Sequence, residues 1–286
     1  MAPNDFAVFI LTHGRPQKVI TYGTLRRQGY TGDIYIIVDN EDSLLAGYQE
    51  IYGDKVIVFD KLAIAKTFDQ GDNFTDRRCI IFARNASFQI ARELGLTYFL
   101  QLDDDYKNFD YRINDRLEYP RPGDHWVVKG RLDRIFELYL DYFKSIDAKS
   151  IAMAQGGDWI GGVEDFGLGK RKCMNTIFCS VDRPFQYVGR INEDVNTYVW
   201  YQSLGHLFLT IPFVSVTQIG TQTNSGGMTE LYLEGGTYIK SFYTVMYAPS
   251  CTTITLMGQR YRRLHHRIQW FDAVPCIIDE KWQKHD

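Results

Sequence analysis

The sequence predicts a single α/β domain in which helices flank a mostly parallel central sheet. Short apolar runs alternate with helical patterns over about residues 6–102. The runs are apolar on both faces, which is typical of parallel strands covered by helices on both sides. Polar residues that can bind ligands follow the strands, and in such sheets ligands bind beyond the carboxyl ends of the strands. We therefore expect the functional residues to gather along one edge of the sheet.

The chain begins with a strand, a helix and a second strand. FAVFIL (6–11) is the first strand, and Pro16 suits the first turn of a helix that continues with apolar residues at helical spacing. Gly29 and Gly32 end that helix. DIYIIVD (33–39) follows as the second strand.

The same alternation continues through the next sixty or so residues. LLAGYQEIYG (44–53) is a helix, and KVIVF (55–59) is the third strand. A longer helix covers about 76–94 and ends at Gly95. TYFLQL (97–102) is the fourth strand. Repeated units of this kind predict the parallel sheet.

The second half of the chain is less regular. Residues 111–128 resemble a loop or hairpin, and 130–147 form an amphipathic helix. Three further apolar runs predict strands at 150–155, 176–180 and 207–218. Glycine-rich connectors occur at 156–162, 224–228 and 234–236. Because no internal repeat or interdomain linker is evident, we expect residues 1–286 to form one domain.

Composition favours a soluble intracellular protein. The net charge of −3 does not suggest a protein coated with positive charge, so any nucleic-acid contact requires a local basic patch. The five cysteines are irregularly spaced without a CxxC pair, which argues against a disulfide framework or zinc knuckle and fits reduced thiols in a cytosol. The apolar run near the amino terminus is too short for a signal peptide or membrane span. We therefore expect a cytoplasmic location.

The strongest candidate for chemistry is LDDDY (102–106). Asp103, Asp104 and Asp105 follow a buried strand, where adjacent carboxylates repel one another and lose solvation. Mg²⁺ or Mn²⁺ prefers carboxylate oxygens and can bind diphosphate oxygens at the same time. It would then act as a Lewis acid on a leaving group. A solvated acidic loop is the alternative.

Two further candidates follow the first two strands. THGRP (12–16) brings Gly14, Arg15 and a helix start to the end of the first strand. The N–H groups of a helix start favour anions, and a glycine lets a ligand approach the backbone. An ordinary strand–helix turn is the alternative. Asp39 ends the second strand and could accept hydrogen bonds from a ribose or a base edge.

GRINEDVNTY (189–198) contains a candidate general base. Glu193 and Asp194 precede a helical pattern, and a general base must reach the acceptor hydroxyl and be ionised. The alternative is a helix amino terminus, which favours acidic residues for electrostatic reasons.

RYRRLHHRIQW (260–270) concentrates four arginines and two of the six histidines. A neutral histidine can complete a metal shell, and arginines suit phosphate or nucleic acid. A solvated cationic segment is the alternative. Glycines and charges also cluster at GGDWIGG (156–162), KRK (170–172) and ARN (83–85).

Taken in order, these motifs resemble the GT-A fold of nucleotide-sugar glycosyltransferases. More narrowly, the chain resembles the TET-associated glycosyltransferases, largely phage-encoded enzymes thought to add sugars to hydroxymethylated pyrimidines in DNA. The resemblance extends from about residue 6 to 275 and rests on FILTHGRP, YIIVDNED, ARN, QLDDDY, AQGGD, KRKCMN, GRINEDVNTY, TQTNSGGMT and RRLHH. It implies a GT-A-like (Rossmann-like) domain with a nucleotide-binding half over about 1–106 and an acceptor and catalytic half over about 107–286.

The resemblance implies a divalent metal, Mn²⁺ or Mg²⁺, and a nucleoside diphosphate sugar, with UDP-glucose as the expected donor. Asp105 would bind the metal directly with Asp103, and His265 or His266 would complete its shell. The residues expected to bind the nucleotide sugar are Thr12, His13, Gly14, Arg15, Asp39, Arg84, Asp103, Asp104, Gly156, Gly157 and Asp158.

The implied reaction is transfer of a hexose, expected to be glucose, to the hydroxyl of a hydroxymethylated pyrimidine in DNA. Asp194 is the expected base, with Glu193 as the close alternative, and direct attack by the activated hydroxyl would invert the anomeric carbon. The acidic net charge confines DNA contacts to basic patches. The residues expected there are Lys170, Arg171, Lys172, Arg260, Arg262 and Arg263. A phage protein acting in the host cytoplasm would fit this reaction.

Two other classes of function remain open on the sequence. One is a glycosyltransferase that acts on a protein, glycan or lipid, of which lipid is least favoured because no membrane segment is evident. The other is a catalytically silent module that binds sugar nucleotides or nucleic acid. Neither requires an obligate protein partner.

Overall fold

The computed structural model describes residues 5–72, 75, 77–112, 126–155, 172–219, 239–258 and 262–273. The strands are β1 (Phe6–Leu11), β2 (Asp33–Asp39), β3 (Val56–Phe59), β4 (Tyr98–Asp103), β5 (Tyr106–Tyr111), β6 (Trp126–Val127), β7 (Ala148–Gln155), β8 (Ile177–Ser180), β9 (Leu207–Gln218), β10 (Thr252–Met257) and β11 (Arg263–Ile268). The helices are α1 (Ile20–Arg27), α2 (Leu45–Tyr52), α3 (Lys61–Ala65), α4 (Ile81–Glu93), α5 (Leu132–Ser145), α6 (Glu193–Ser203) and α7 (239–247), and a short 3₁₀ helix covers Pro16–Lys18.

The first four strands form the parallel half of a mixed nine-stranded sheet. The described strands are ordered β3-β2-β1-β4-β8-β7-β9-β5-β6, and β3, β2, β1 and β4 pair in parallel. Leu11 is in register with both Ile37 and Asp103, so the carboxyl ends of β2, β1 and β4 lie side by side. This confirms the α/β class and the predicted edge at which polar residues gather.

Strand β1 shows why this half of the sheet is stable. All six of its residues are buried, and they alternate between two hydrophobic cores. Phe9 and its alternate neighbours pack with α4 and α6 on one face, while Val8 and its alternate neighbours pack with α1, α2 and α5 on the other. Successive side chains of a strand point to opposite faces of the sheet, so this one strand contributes residues to both cores.

The second half of the sheet is not parallel throughout. Strand β8 lies antiparallel between β4 and β7, and β9 is parallel to β7 but antiparallel to β5. The predicted strands at 150–155, 176–180 and 207–218 are all confirmed, as is the helix at 130–147. The helix predicted over 76–94 begins only at Ile81, although Gly95 ends it with a positive φ as expected.

Strand β5 was not predicted. It begins directly after the acidic triplet, because the chain turns at Asp104 and Asp105 and returns along β9. The predicted loop or hairpin over 111–128 therefore contains the end of β5 and the short strand β6, and its residues 113–125 lie outside the described ranges. The three glycine-rich connectors also fall mainly outside them.

Gln28 connects helix α1 to this second half. Its side chain is buried, its Nε2 donates to the carbonyl oxygens of Phe109 and Val128 at 2.8 Å each, and its Oε1 accepts from the Phe109 N–H at 2.8 Å. Next to it, Gly29 has a φ of 92°, and a Cβ there would lie 2.5 Å from the backbone of Gly130. The backbone that precedes α5 therefore lies in direct contact with the backbone that follows α1.

A helix and a hairpin follow the sheet near the carboxyl terminus. Strands β10 and β11 pair antiparallel, with Thr255 opposite His265 and Ile254 opposite His266. Most of the RRLHH segment, for which a solvated cationic segment was the alternative interpretation, is therefore part of a strand. Within the ranges described, no helix is long and apolar enough to cross a bilayer.

Candidate active site

The acidic triplet occupies the turn between β4 and β5. Thr21, near the start of α1, holds this turn: its N–H donates to the Asp104 carbonyl at 3.1 Å, and its hydroxyl donates to the Asp103 carbonyl at 2.6 Å. The Tyr106 N–H donates back to the same hydroxyl at 2.9 Å. The backbone that carries the three carboxylates is thus fixed by helix α1.

Asp104 forms contacts within the protein. One of its oxygens accepts from the Thr12 hydroxyl at 2.5 Å, and the other lies 3.0 Å from Arg15 Nη2. The residue is 2% exposed, and burial raises its pKa although Arg15 and Thr12 oppose that shift. Asp104 therefore joins the end of β1 to the end of β4. Thr12 and Arg15 thus lie beside the triplet, at the edge of the sheet where the sequence predicted that polar residues gather.

Arg84 connects the triplet to the start of α6. This buried guanidinium lies 3.4 Å from an Asp103 oxygen through Nη2, and its Nε donates to Glu193 Oε1 at 3.0 Å. Its Nη1 is buried and has no hydrogen-bond partner among the described residues. A buried cation donor without a partner is costly, and an anionic ligand would satisfy it.

Glu193 and Asp194 therefore have different surroundings. Glu193 is buried and paired with Arg84, and burial together with Asp194 raises its pKa while Arg84 opposes the shift. Asp194 is only partly buried, and one of its oxygens accepts the Val195 N–H at 2.7 Å. Asp194 Oδ2 has no hydrogen-bond partner among the described residues, and Asp194, unlike Glu193, is not paired with Arg84.

The carboxyl groups of the triplet hold protons unusually tightly. Burial, helped by Asp105 and Asp104 and opposed by Arg84, raises the pKa of Asp103 to about 7. Burial and the charge of Asp104, opposed by Arg15, raise the pKa of Asp105 to about 6. Asp105 has no ion pair with any described residue.

These carboxylates fit a divalent cation in chemistry. A cation beside Asp103 and Asp105 would offset both the loss of hydration and the mutual repulsion that raise the two pKa values. Within the described ranges, no group of three or more His, Cys, Asp and Glu side chains is already gathered as a metal site. The two aspartates would therefore need oxygens from a ligand or from water to complete a coordination shell.

A second polar cluster lies at the ends of β1 and β2. His13 Nδ1 lies 2.8 Å from Asp39 Oδ2, and the buried Lys61 Nζ lies 3.2 Å from the same oxygen. The Gly14 N–H donates to Asp42 Oδ2 at 2.6 Å. Burial opposes ionisation of Asp39, but His13 and Lys61 together lower its pKa. His13, Gly14 and Asp39 thus lie together, as the sequence predicted.

The start of α6 is held by residues from α7 and β11. Asn192, which precedes α6 with a φ of 62°, donates through Nδ2 to the Thr244 hydroxyl at 2.6 Å. Thr244 in turn donates to Asn196 Oδ1 at 2.8 Å. Because this fixes the Asn192 amide, its Nδ2 also donates to His266 Nδ1 at 3.4 Å. Burial, His265 and nearby lysines lower the pKa of His266 to about 3, so the ring is neutral.

This contact distinguishes the two candidate histidines. A neutral His266 that accepts at Nδ1 carries its proton on Nε2, so neither ring nitrogen offers a free lone pair to a metal. The His265 ring packs against the His266 ring with centroids 4.3 Å apart, and it has no hydrogen-bond partner among the described residues. Burial, then the charges of Lys240, Arg263 and Lys172, lower the pKa of His265.

Several basic residues lie near His265. Lys172, Lys240 and Arg263 are close enough to affect the pKa of His265, and Asp194 stabilises the charge on Lys240. Arg262 lies next to β11. The remaining predicted site residues, which lie outside the described ranges, are Gly156, Gly157, Asp158, Lys170, Arg171 and Arg260.

Five residues that the sequence did not predict lie next to the predicted site residues or hold the segments that carry them. Thr21, Lys61, Asn192, Lys240 and Thr244 carry no motif of their own. Only Asn192 had a usable signal, since it lies inside the GRINEDVNTY motif (189–198). The others reach the site through contacts between residues far apart in the chain, which spacing alone does not reveal.

Comparisons with known proteins agree with the glycosyltransferase motifs. The family model of the TET-associated glycosyltransferases matches residues 6–227. A search of curated proteins finds no match.

Solved structures of two glycosyltransferases are similar in fold. Glucosyl-3-phosphoglycerate synthase from Mycobacterium tuberculosis, in complex with Mg²⁺ and uridine diphosphate, has 6% identity and a TM-score of 0.48, over 92% of this chain and 87% of that one. A mannosyltransferase from Pyrobaculum calidifontis, in complex with GDP-Man and Mn²⁺, has 9% identity and a TM-score of 0.46, over 87% of this chain and 74% of that one. Similarities of this size say nothing about substrate.

Proposed function

Because the chain belongs to the TET-associated glycosyltransferase family, we propose that it transfers a hexose from a nucleoside diphosphate sugar to a hydroxymethylated pyrimidine in DNA. Glucose and UDP are the first candidates for sugar and nucleotide. The observation that carries the proposal is the acidic turn after β4, which Arg84 links to the start of α6 and thus to Asp194. Donor and acceptor groups would meet between these two elements.

The donor would lie across the carboxyl ends of β1, β2 and β4. The unpaired Nη1 of Arg84 and the guanidinium of Arg15 favour a diphosphate there. Asp103 and Asp105 would hold a divalent cation, and His265, whose ring has no hydrogen-bond partner among the described residues, would complete its shell. When bound, such a cation stabilises the negative charge of the departing diphosphate.

Asp194 would act as the general base. Its Oδ1 is held by the Val195 N–H, which leaves Oδ2 to accept the proton of the acceptor hydroxyl. The oxygen of that hydroxyl would attack the anomeric carbon as the bond to the diphosphate breaks. Because the attack is direct, the sugar would be transferred with inversion. Glu193 would instead hold Arg84 in place.

The acceptor would approach the basic region near His265. Lys172 and Arg263, which lower the pKa of His265, and Arg262 beside them would contact its phosphates, with Lys170, Arg171 and Arg260 as further candidates. A protein with a net charge of −3 would need such a local patch to hold DNA. A DNA acceptor would place the reaction in the cytoplasm of a phage-infected cell.

The test is turnover on modified DNA. The full chain is incubated with UDP-glucose, Mn²⁺ and DNA that contains hydroxymethylated pyrimidines, and UDP release and nucleoside mass are measured. We expect stoichiometric UDP release and a nucleoside heavier by one hexose residue. Unmodified DNA is the matched control. Transfer only to a protein or glycan in an acceptor panel would overturn the DNA assignment, and donor binding without transfer to any acceptor would indicate a silent binding module.

A further inference from the structure

His13 is fixed at the end of β1 by two carboxylates. Its Nδ1 lies 2.8 Å from Asp39 Oδ2 and 3.5 Å from Asp42 Oδ2. The Asp39 and Asp42 side chains are only 5% and 1% exposed, whereas the His13 side chain is 40% exposed. One edge of the ring is therefore held by the buried carboxylates, while the side chain as a whole remains partly exposed to solvent.

The contact with Asp39 determines which ring nitrogen carries the proton. Lys61 and His13 lower the pKa of Asp39 against the effect of its burial, so this carboxyl is ionised and can only accept hydrogen bonds. Nδ1 must then be the donor. In the neutral ring this leaves Nε2 as a hydrogen-bond acceptor, and Nε2 has no partner among the described residues.

Asp39 itself has little capacity left for a ligand. Its Oδ2 already accepts from His13 and from the buried ammonium of Lys61 at 3.2 Å. Its Oδ1 accepts the Glu41 N–H at 3.1 Å. The carboxylate expected to contact a ribose or base edge is thus occupied on both oxygens, and the accessible polar atom beside it is His13 Nε2.

We propose that His13 Nε2 accepts a hydrogen bond from the nucleoside of the sugar donor, and that Asp39 and Lys61 position the ring for this contact. The inference rests on the proposed function and specifies one contact of that site. The ligand group is an N–H or O–H donor, which is either the imide N–H of a uracil base or a ribose hydroxyl. A nucleoside that offers only an acceptor there would be disfavoured because two acceptors would face each other.

The experiment compares nucleotide analogues across variants of one residue. Binding of UDP, 3-methyl-UDP, 2′-deoxy-UDP and 3′-deoxy-UDP to the full chain with Mn²⁺ is measured by calorimetry. His13→Asn keeps an amide N–H near the position of Nδ1 but cannot reach the ligand. His13→Gln extends an amide oxygen towards the position of Nε2, and His13→Phe removes both polar atoms. Thermal unfolding of each variant checks that it is folded.

We expect wild type to bind one analogue about fivefold more weakly than UDP, as the loss of one neutral hydrogen bond predicts. The methylated analogue would identify the base as the source, and a deoxy analogue would identify the ribose. His13→Asn and His13→Phe should bind UDP about fivefold more weakly and should not distinguish it from that analogue. His13→Gln should retain part of the preference.

Two outcomes would overturn the inference, and they are distinguishable from failure of the proposed function. If wild type binds UDP and all three analogues equally, or if folded His13→Phe keeps the full preference, His13 does not read the nucleoside. If wild type binds no UDP in the presence of Mn²⁺, the proposed donor is lost and this inference is lost with it.

Discussion

At the scale of single residues, Arg84 distinguishes the adjacent acids Glu193 and Asp194, because it pairs with only one of them. Its guanidinium pairs with Glu193 and approaches Asp103, so one acid of the pair is committed to a buried ion pair. Asp194 keeps an oxygen that is not used by the described structure. The sequence could not choose between these two residues, since both belong to the first turn of the same helix.

Changing Asp194 to Asn should abolish most of the transfer while preserving donor binding. Loss of a general base typically lowers kcat by about 100-fold to 10,000-fold, whereas the amide keeps the contact with the Val195 N–H. Turnover and the Kd for UDP measure the two effects. An equal weakening of donor affinity would contradict the role of Asp194 as the base.

Glu193→Gln is the comparison for that variant. It removes the charge of the carboxylate that accepts from Arg84 Nε and leaves the more distant Asp103 as the ionic partner of Arg84, and weakening this buried contact costs about 1–3 kcal/mol of stability. We expect a lower urea midpoint in Glu193→Gln and an unchanged midpoint in Asp194→Asn. The reverse pattern would show that Asp194 has the structural role.

Metal affinity should rise with pH. Asp105 and Asp103 have pKa values raised to about 6 and about 7, so both lose their protons only as the pH passes through that range. Since a cation binds the ionised form, Mn²⁺ affinity measured by titration calorimetry should increase between about pH 5 and pH 8 and then level off. A pH-independent affinity would contradict binding at these carboxylates.

Asp105→Ala should weaken Mn²⁺ binding and, with it, the metal-dependent part of UDP affinity. The variant removes one proposed metal oxygen without breaking an ion pair of the described structure. An unchanged Mn²⁺ titration would reject Asp105 as a ligand. Removing the metal from wild type with a chelator should reproduce the effect of the variant on UDP binding.

At the scale of elements, helix α1 organises both the acidic turn and the second half of the sheet. Thr21 fixes the turn from the first part of the helix, and Gln28 fixes β5 from its end. The sequence predicted α1 and the strands around it because apolar spacing is local. It missed β5, whose residues Tyr106–Tyr111 include a lysine, an asparagine and an aspartate and therefore lack a continuous apolar run.

Gln28→Ala should destabilise the fold strongly. It removes three hydrogen bonds and leaves buried backbone groups of Phe109 and Val128 without partners, each of which costs about 1–3 kcal/mol. We expect the free energy of unfolding, measured in urea, to fall by about 3 kcal/mol or more. Gln89→Ala, on the exposed face of α4, is the matched control and should change it little. Similar effects of the two variants would rule out a special role for Gln28.

At the scale of the whole molecule, the site draws on parts of the chain that the family model does not match. Residues 6–227 match that model, whereas α7 and the β10–β11 hairpin follow it. Thr244 on α7 and His266 on β11 nevertheless hold Asn192 at the start of α6. Such a placement depends on tertiary packing, so the sequence predicted the histidines as site residues but not the strand that carries them.

Thr244→Val tests this contribution. The substitution keeps the shape of the buried side chain but removes the hydroxyl that joins Asn192 and Asn196. We expect a stability loss of about 1–3 kcal/mol in urea unfolding, together with a lower kcat because the segment that presents Asp194 is loosened. Thr253→Val, at an exposed position of β10, should change neither quantity. Full activity in Thr244→Val would show that α7 only covers the site.

Because of the acidic turn, the melting temperature of the metal-free protein should rise when a ligand binds there. A carboxyl whose pKa is higher in the folded chain than in the unfolded one lowers stability as the pH rises from about 4 to about 7, because folding then keeps an unfavourable charge. Asp105→Asn should accordingly melt a few degrees higher than wild type at about pH 8 when no metal is present. Any compound that neutralises this charge would raise the melting temperature of wild type. A library of sugar nucleotides screened by heating with Mn²⁺ would thus identify the natural donor before any acceptor is known.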